Sequence, residues 1–284
     1  MRVSRMKKLD KERRHPVLGV EIRGLNLSAD LSQDTIEAIR NTVEEEGVLV
    51  IPSQSLTDQQ QVDFSRRFGD LERHPESEKR RVGHPETFYL TNVQADGELK
   101  DLIAPGTQRW HTDSSYREIP CTLSLLYAID VPQQGGETEF VSTVHAYNQL
   151  PEDRRRGLEG VRVIHSYEHS NPDAWPKMSQ EERDAVPPVS HPLVRTLDDG
   201  RRALYLGSHA ARVEGLNEEE GRRLLVELLD LATREPFIYQ HRWKKGDLLV
   251  WDNRLTLHRV RPYASTREKR VLRRTTVCGT ERVR

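Results

Sequence analysis

Two short stretches hold the residues best suited to chemistry: Trp110-His111-Thr112-Asp113, and Trp251-Asp252-Asn253-Arg254 with His258 just beyond it. Together they offer two imidazoles and one carboxylate, the ligand set that holds a non-haem Fe(II) while leaving coordination positions open. On an extended strand, residues two apart point to the same face, so His111 and Asp113 could serve one ion from a single segment. His258 must then arrive from a distant part of the chain. An isolated His-x-Asp is common by chance, and the weight therefore rests on what surrounds it.

The elements that must position these residues are legible as patterns. Val17 to Ile22 reads as a strand, and Ser32 to Glu46 has helical apolar spacing at Ile36, Ile39 and Val43, stopped by Gly47. Val48 to Ile51 is a short buried strand. Thr57 with Gln60 forms a capping box that opens a helix running to Gly69. Residues 70–109, rich in charge, Pro and Gly, form a long irregular stretch before the His-x-Asp, and we expect a lid there. Cys121 to Ile129 and a segment near Phe140 read as strands around a Gly135-Gly136 turn. Asn217 with Glu220 caps an amphipathic helix carrying Leu224, Leu225 and Leu228. Ala203 to Leu206, Phe237 to Trp243, Leu248 to Trp251 and Arg270 to Cys278 are further strands. The sum is mainly β with flanking helices (α+β), which suits a double-stranded β-helix, or jelly roll. One domain over residues 15–284 is expected, behind a basic, mobile start at residues 1–14.

Bulk properties exclude several classes. Lys plus Arg is 44 and Asp plus Glu 45 in 284 residues, for a net charge of −1, which gives no global attraction for nucleic acid or an anionic membrane. No apolar run is long enough to span a bilayer, and Met1 to Arg14 lacks the apolar centre of a signal peptide. The 2 cysteines, Cys121 and Cys278, give no disulfide framework. A soluble, cytoplasmic protein is expected, with assembly into a homo-oligomer left open.

On the last strand, Arg270, Leu272, Arg274 and Thr276 share one face by alternation. Arginine offers a permanently charged fork for carboxylates, although two strand arginines taken alone are more often surface residues. Among the other histidines, His165 and His169 are spaced i, i+4 without the Glu of a zinc-protease helix, and they read as surface or lid.

In combination, Trp110-His111-Thr112-Asp113-Ser114, Gly135-Gly136-Glu137-Thr138, Trp251-Asp252-Asn253-Arg254 with His258, and Arg270 with Arg274 give a chain that resembles the taurine dioxygenase/2,4-D dioxygenase (TauD/TfdA) family of Fe(II)- and 2-oxoglutarate-dependent oxygenases. The resemblance runs from about Val17 to Gly279. It implies a jelly-roll oxidoreductase that binds Fe(II) and uses 2-oxoglutarate and O2 as co-substrates. Such an enzyme hydroxylates a small anionic organic substrate and releases succinate and CO2. It implies His111, Asp113 and His258 as metal ligands and catalytic centre, with Thr138 and Arg270 on 2-oxoglutarate. Arg274, His74 and Ser114 would face the primary substrate. One extra residue between His258 and Arg270 relative to the taurine pattern leaves Arg267 and Arg273 as substitutes for the clamp. A carboxylate at Asp113, rather than a small residue that leaves room for halide, argues for hydroxylation over halogenation.

Several stretches, such as Leu206-Gly207-Ser208-His209-Ala210 and Tyr239-Gln240-His241-Arg242-Trp243, look closer to the 2,4-D branch. His74-Pro75 is followed by Glu76-Ser77-Glu78 rather than an aromatic, which disfavours an aminosulfonate pocket. The leading expectation is therefore an aryloxyalkanoate carboxylate. The alternatives are the same chemistry on an alkylsulfonate such as taurine or on a sulfate ester, or a non-enzymatic jelly-roll binding protein with a structural metal.

Overall fold

A computed structural model describes residues 9–76, 82–94, 96–100 and 105–284. Its centre is a seven-stranded sheet in the order Lys11–Arg13, Val20–Ile22, Val48–Ile51, Leu248–Asp252, Leu123–Asp130, Val271–Val277, Phe88–Thr91. Every neighbouring pair is antiparallel except Val20–Ile22 with Val48–Ile51. A three-stranded sheet, Tyr239–His241, Thr138–Ser142 and Thr256–Val260, packs on one face of it.

Side-chain alternation builds the layers. Leu49, Ile51, Leu248 and Val250 point to one face of the large sheet and pack against Ile36, Ile39 and Val43 of the helix Gln33–Glu46 and Phe64 of the helix Asp58–Arg66. Val48, Val50, Leu249 and Trp251 point to the other and meet Phe140, Tyr239 and Trp243 of the small-sheet side. Behind the small sheet, Val141 and Leu257 pack with Leu228 of the helix Glu218–Ala232 and with Val163, Leu193, Leu204 and Val213. Two sheets face to face with helices outside them is the arrangement expected.

The local signals act as read. Thr57 Oγ1 accepts from the Gln60 amide at 3.2 Å, and Gln60 Oε1 accepts from the Thr57 amide at 2.9 Å, closing the capping box. That helix stops at Arg66, one turn before Gly69. The Asn217 side chain accepts from the Glu220 amide and opens Glu218–Ala232. The Lys244–Asp247 turn does not close a hairpin: it carries the chain from the small sheet into the large one. Gly246 turns there at φ 86°, where a Cβ would lie 2.7 Å from the Gln54 carbonyl oxygen.

One expectation needs correction. Within the expected mobile start, residues 1–8 lie outside the described residues, but Lys11–Arg13 forms a strand on Val20–Ile22. Lys11 and Arg13 reach Glu45 and Glu46 at 2.7 and 2.6 Å, which ties down a segment that looked like a free basic tail. Parts of the expected lid, residues 77–81, 95 and 101–104, likewise lie outside the described residues. No helix among the described residues is long and apolar enough to cross a membrane.

Arg273 shows what one step of alternation does. It leaves the last strand on the helix side, where Nε donates to Gln61 Oε1 at 2.8 Å, Nη2 donates to the Leu56 and Thr57 carbonyls, and Nη1 pairs with Asp58. Arg273→Met should cost about 3 kcal/mol, because the half-buried Asp58 carboxylate loses its cationic partner and the buried Gln61 and Leu56 acceptors lose a donor. Urea unfolding of the metal-free protein checks this, and an unchanged midpoint contradicts it.

Candidate active site

The two histidines meet through their backbones. The His111 amide donates to the His258 carbonyl at 3.0 Å and the His258 amide returns the bond to His111 at 2.8 Å. An antiparallel pair that exchanges both bonds places its side chains directly opposite each other, and the imidazole centroids lie 4.1 Å apart. Asp113 does not extend the strand as the spacing suggested. The chain turns immediately after Thr112, and Ser114 takes φ 57°. The turn still delivers the carboxylate: ligand atoms of His111, Asp113 and His258 all lie within 4.8 Å of one another, and all three residues are buried.

Neighbouring groups set the protonation states. His111 Nδ1 lies 2.8 Å from the Arg109 carbonyl oxygen, so it carries the proton and leaves Nε2 bare for a metal. Burial pushes the His111 and His258 pKa values down, that of His258 far down, so both rings are neutral. Burial would raise the Asp113 pKa, but the Arg274 guanidinium beside it, with the Ser124 hydroxyl, outweighs it and holds the carboxyl ionised. Neutral imidazoles and a carboxylate are the forms that bind a divalent ion, so these residues fit Fe(II).

Asp113 is held from several sides. Oδ2 accepts from Ser124 Oγ at 2.6 Å, Oδ1 accepts from Arg274 Nη1 at 2.5 Å, and its amide donates to Asn253 Oδ1 at 3.2 Å. Asn253 also donates to Ser124 Oγ at 2.9 Å, and its Oδ1 accepts from Trp251 Nε1 at 3.0 Å. The second motif therefore does more than precede His258, because Trp251 and Asn253 brace the carboxylate ligand. Sequence reading did not single out Ser124; only the fold brings Ser124 beside Asp113.

Thr138 starts the central strand of the small sheet, in register with Val260 and His241. Arg270 sits just before the last strand, fully buried, with Nε donating to the Gly136 carbonyl at 3.0 Å. A Cβ on Gly136, at φ 69°, would lie 3.2 Å from Arg270 Cδ, so glycine leaves the arginine its place. Burial lowers the Arg270 pKa to about 10, and no carboxylate among the described residues pairs with it. A buried cation without a counter-ion is costly, and a carboxylate-bearing ligand would relieve it. Of the substitutes, Arg273 points to the opposite face and Arg267 is exposed.

A pocket of about 110 Å³ opens onto the triad, lined by His111, Asp113 and Arg274 and, among others, His74, Tyr116 and His209. His74 stacks on Phe88 at 4.6 Å, and the Arg274 guanidinium lies 5.4 Å from the same ring. Ser114 reaches this pocket, but its hydroxyl donates to Glu72 Oε2 at 2.5 Å. A larger cavity of about 640 Å³, with Leu71, Ser179 and Val186 on its wall, contains none of the ligands. His209, which lacked any metal-ligand spacing, stands 6.4 Å from the His111 ring with its pKa lowered by burial to about 3. Its buried Nδ1 has no hydrogen-bond partner among the described residues. His165, read as surface or lid, is instead fully buried with Nδ1 3.1 Å from Ser115 Oγ.

The chain matches the family model described as "Taurine catabolism dioxygenase TauD, TfdA family" over residues 10–276, and it belongs to that family. It is 39% identical to the alpha-ketoglutarate-dependent 2,4-dichlorophenoxyacetate dioxygenase of Burkholderia sp. (strain RASC), covering 95% of each chain. It is 33% identical to an alpha-ketoglutarate-dependent sulfate ester dioxygenase of Pseudomonas putida, over 93% of this chain and 89% of that one. Among solved structures, AAD-2 in complex with Mn(II) and N-oxalylglycine superposes with a TM-score of 0.86 at 33% identity, covering 97% of this chain and 100% of that one.

The buried imidazoles make stability depend on pH. Burial holds the pKa values of His111, His165, His191, His209 and His258 below the ordinary histidine value of 6.5. Unfolding exposes rings that protonate near 6.5 while the folded rings stay neutral. The folded state therefore carries no penalty above that pH, and each ring costs it about 1.4 kcal/mol per pH unit below. The melting temperature of the metal-free protein should be flat above pH 7 and fall steadily from pH 6.5 to 5. A constant value over that range contradicts neutral buried rings.

Proposed function

We propose that this chain is an Fe(II)- and 2-oxoglutarate-dependent dioxygenase that hydroxylates a small carboxylate, with aryloxyalkanoates the favoured substrate class. The observation that carries this reading is the buried His111–Asp113–His258 triad opening onto a pocket whose wall presents Arg274 and an aromatic surface. Bound Fe(II), with O2, supplies the oxidant for C–H hydroxylation while 2-oxoglutarate leaves as succinate and CO2.

The chain's own residues bind, orient and exclude. His111, Asp113 and His258 hold the metal. His209 is close by but outside the ligand cluster, so three protein donors leave room for co-substrates, where a structural metal site would be closed. Arg270 receives the far carboxylate of 2-oxoglutarate and Thr138 donates its hydroxyl proton to a carboxylate of the same molecule. Arg274, on the pocket wall beside Asp113, would meet the substrate anion. His74, Phe88, Tyr116 and Tyr167 supply flat surface for an aryl ring. The described part of the expected lid reaches this pocket: His74, Phe88 and Leu90 are on its wall, and Glu72 accepts from Ser114, which supports a covering role for it. Hydroxylation at the carbon between ether oxygen and carboxylate gives a hemiacetal that collapses to a phenol and glyoxylate. A cytoplasmic setting suits the free thiols of Cys121 and Cys278.

Substrate-stimulated succinate formation tests the substrate class. Aryloxyacetates should stimulate turnover most, and Arg274→Gln should raise their KM about tenfold or more, consistent with loss of a charge-assisted pair. Stimulation by alkylsulfonates or sulfate esters instead, with aryloxyacetates inert, overturns the carboxylate assignment while leaving the reaction class intact.

A further inference from the structure

Thr138 is 3% exposed, and Trp243 Nε1–H donates to its Oγ1 at 3.0 Å. An indole N–H can only donate, so at this contact the threonine oxygen must accept. The hydroxyl keeps its own proton, and among the described residues Thr138 Oγ1 makes no other hydrogen bond. A buried hydroxyl whose proton is unspent seeks an acceptor.

Trp243 is itself held. Its ring meets the His241 imidazole edge-on, with centroids 4.7 Å apart and planes at 85°. His241 Nε2 lies 3.1 Å from Asp247 Oδ2, and its Nδ1 lies 3.2 Å from the Tyr239 hydroxyl. Asp247 Oδ2 also accepts from the Lys244 amide at 2.9 Å, fixing the turn that follows Trp243. His241 is in register with Thr138 across the small sheet. The run Tyr239-Gln240-His241-Arg242-Trp243 with Asp247 therefore places one N–H donor against one hydroxyl.

From this geometry we infer that Trp243 is a positioning residue for 2-oxoglutarate: by donating to Thr138 Oγ1, it commits the threonine proton to the co-substrate carboxylate. This rests on the reading of Thr138 as a 2-oxoglutarate ligand. Without the indole N–H, the hydroxyl is free to rotate and the Oγ1 lone pair that accepted it is unsatisfied, so the co-substrate meets a less ordered donor. Trp243 touches neither metal nor substrate in this scheme, and its effect passes through Thr138 alone.

The test is anaerobic calorimetry of 2-oxoglutarate binding to the Mn(II)-loaded protein, with steady-state kinetics beside it. Trp243→Phe keeps an aromatic ring and removes the donor. It should weaken 2-oxoglutarate binding about 3- to 10-fold, the range of one neutral hydrogen bond. The KM for 2-oxoglutarate should rise in step, with kcat and the substrate KM nearly unchanged. Trp243→Leu, which also lacks a donor, should do the same and serves if the first variant does not fold. In a Thr138→Val background, Trp243→Phe should cause no further loss, whereas Thr138→Ser should retain the dependence on Trp243. If Thr138→Val weakens binding but neither Trp243 variant does, or if their losses simply add to those of Thr138→Val, the inference is overturned. If Thr138→Val itself binds 2-oxoglutarate like wild type, the ligand role of Thr138 fails, and the role of Trp243 with it.

Discussion

Everything at the metal centre depends on one pair of backbone hydrogen bonds, exchanged between His111 and His258. These residues are far apart in sequence, and the bridge between them is isolated from any longer strand pairing. It holds because its flanks are fixed independently. Thr256–Val260 is paired along its length with Thr138–Ser142, and Thr112 Oγ1 is bonded to the Asn253 carbonyl at 2.7 Å. Given the bridge, Asp113 needs only a sharp turn to bring its carboxylate to the same point. The small sheet that carries His258 carries Thr138 as well, so the two residues are registered by one set of strands.

Charge is placed with equal economy. Three arginines near the last strand, Arg270, Arg273 and Arg274, meet three fates. Arg273 is saturated by Gln61, Asp58 and two carbonyls and belongs to the helix side. Arg274 is balanced by Asp113. Among the described residues, buried Arg270 has one carbonyl acceptor for its side chain and no carboxylate in an ion pair. The first is structural, the second is paired at the candidate metal site, and the third is the one the proposed function assigns to a ligand. Period-two alternation alone separates Arg273 from Arg274. Arg270 precedes a register shift between Val271 and Leu272, which ends the regular pairing beside it.

How much of this was legible in the sequence follows the range of each interaction. Local signals read correctly: the Thr57 and Asn217 caps, the stop at Gly47, and the strands Val48–Ile51 and Leu248–Trp251. The metal ligands were legible through family motifs, because their spacing alone is weak. What the sequence hid depends on distant pairing. Ser124 braces Asp113 only because the Leu123–Asp130 strand lies beside Leu248–Asp252. His209 enters the pocket from a segment with no ligand spacing, and His165 is buried by contacts from Ser115 and Tyr205 that no local pattern announces. Lys11–Arg13 looked like a free tail because its charges find Glu45 and Glu46 more than thirty residues away.

The central claim is that His111, Asp113 and His258 hold Fe(II) with room for a chelating 2-oxo acid. The most direct measurement is an anaerobic titration of Fe(II)-loaded protein with 2-oxoglutarate, following the weak visible charge-transfer absorption of the chelate. The account predicts a saturable band in the wild type that is absent in Asp113→Ala. Wild-type protein that is fully loaded with Fe(II) and binds 2-oxoglutarate without developing the band would contradict it.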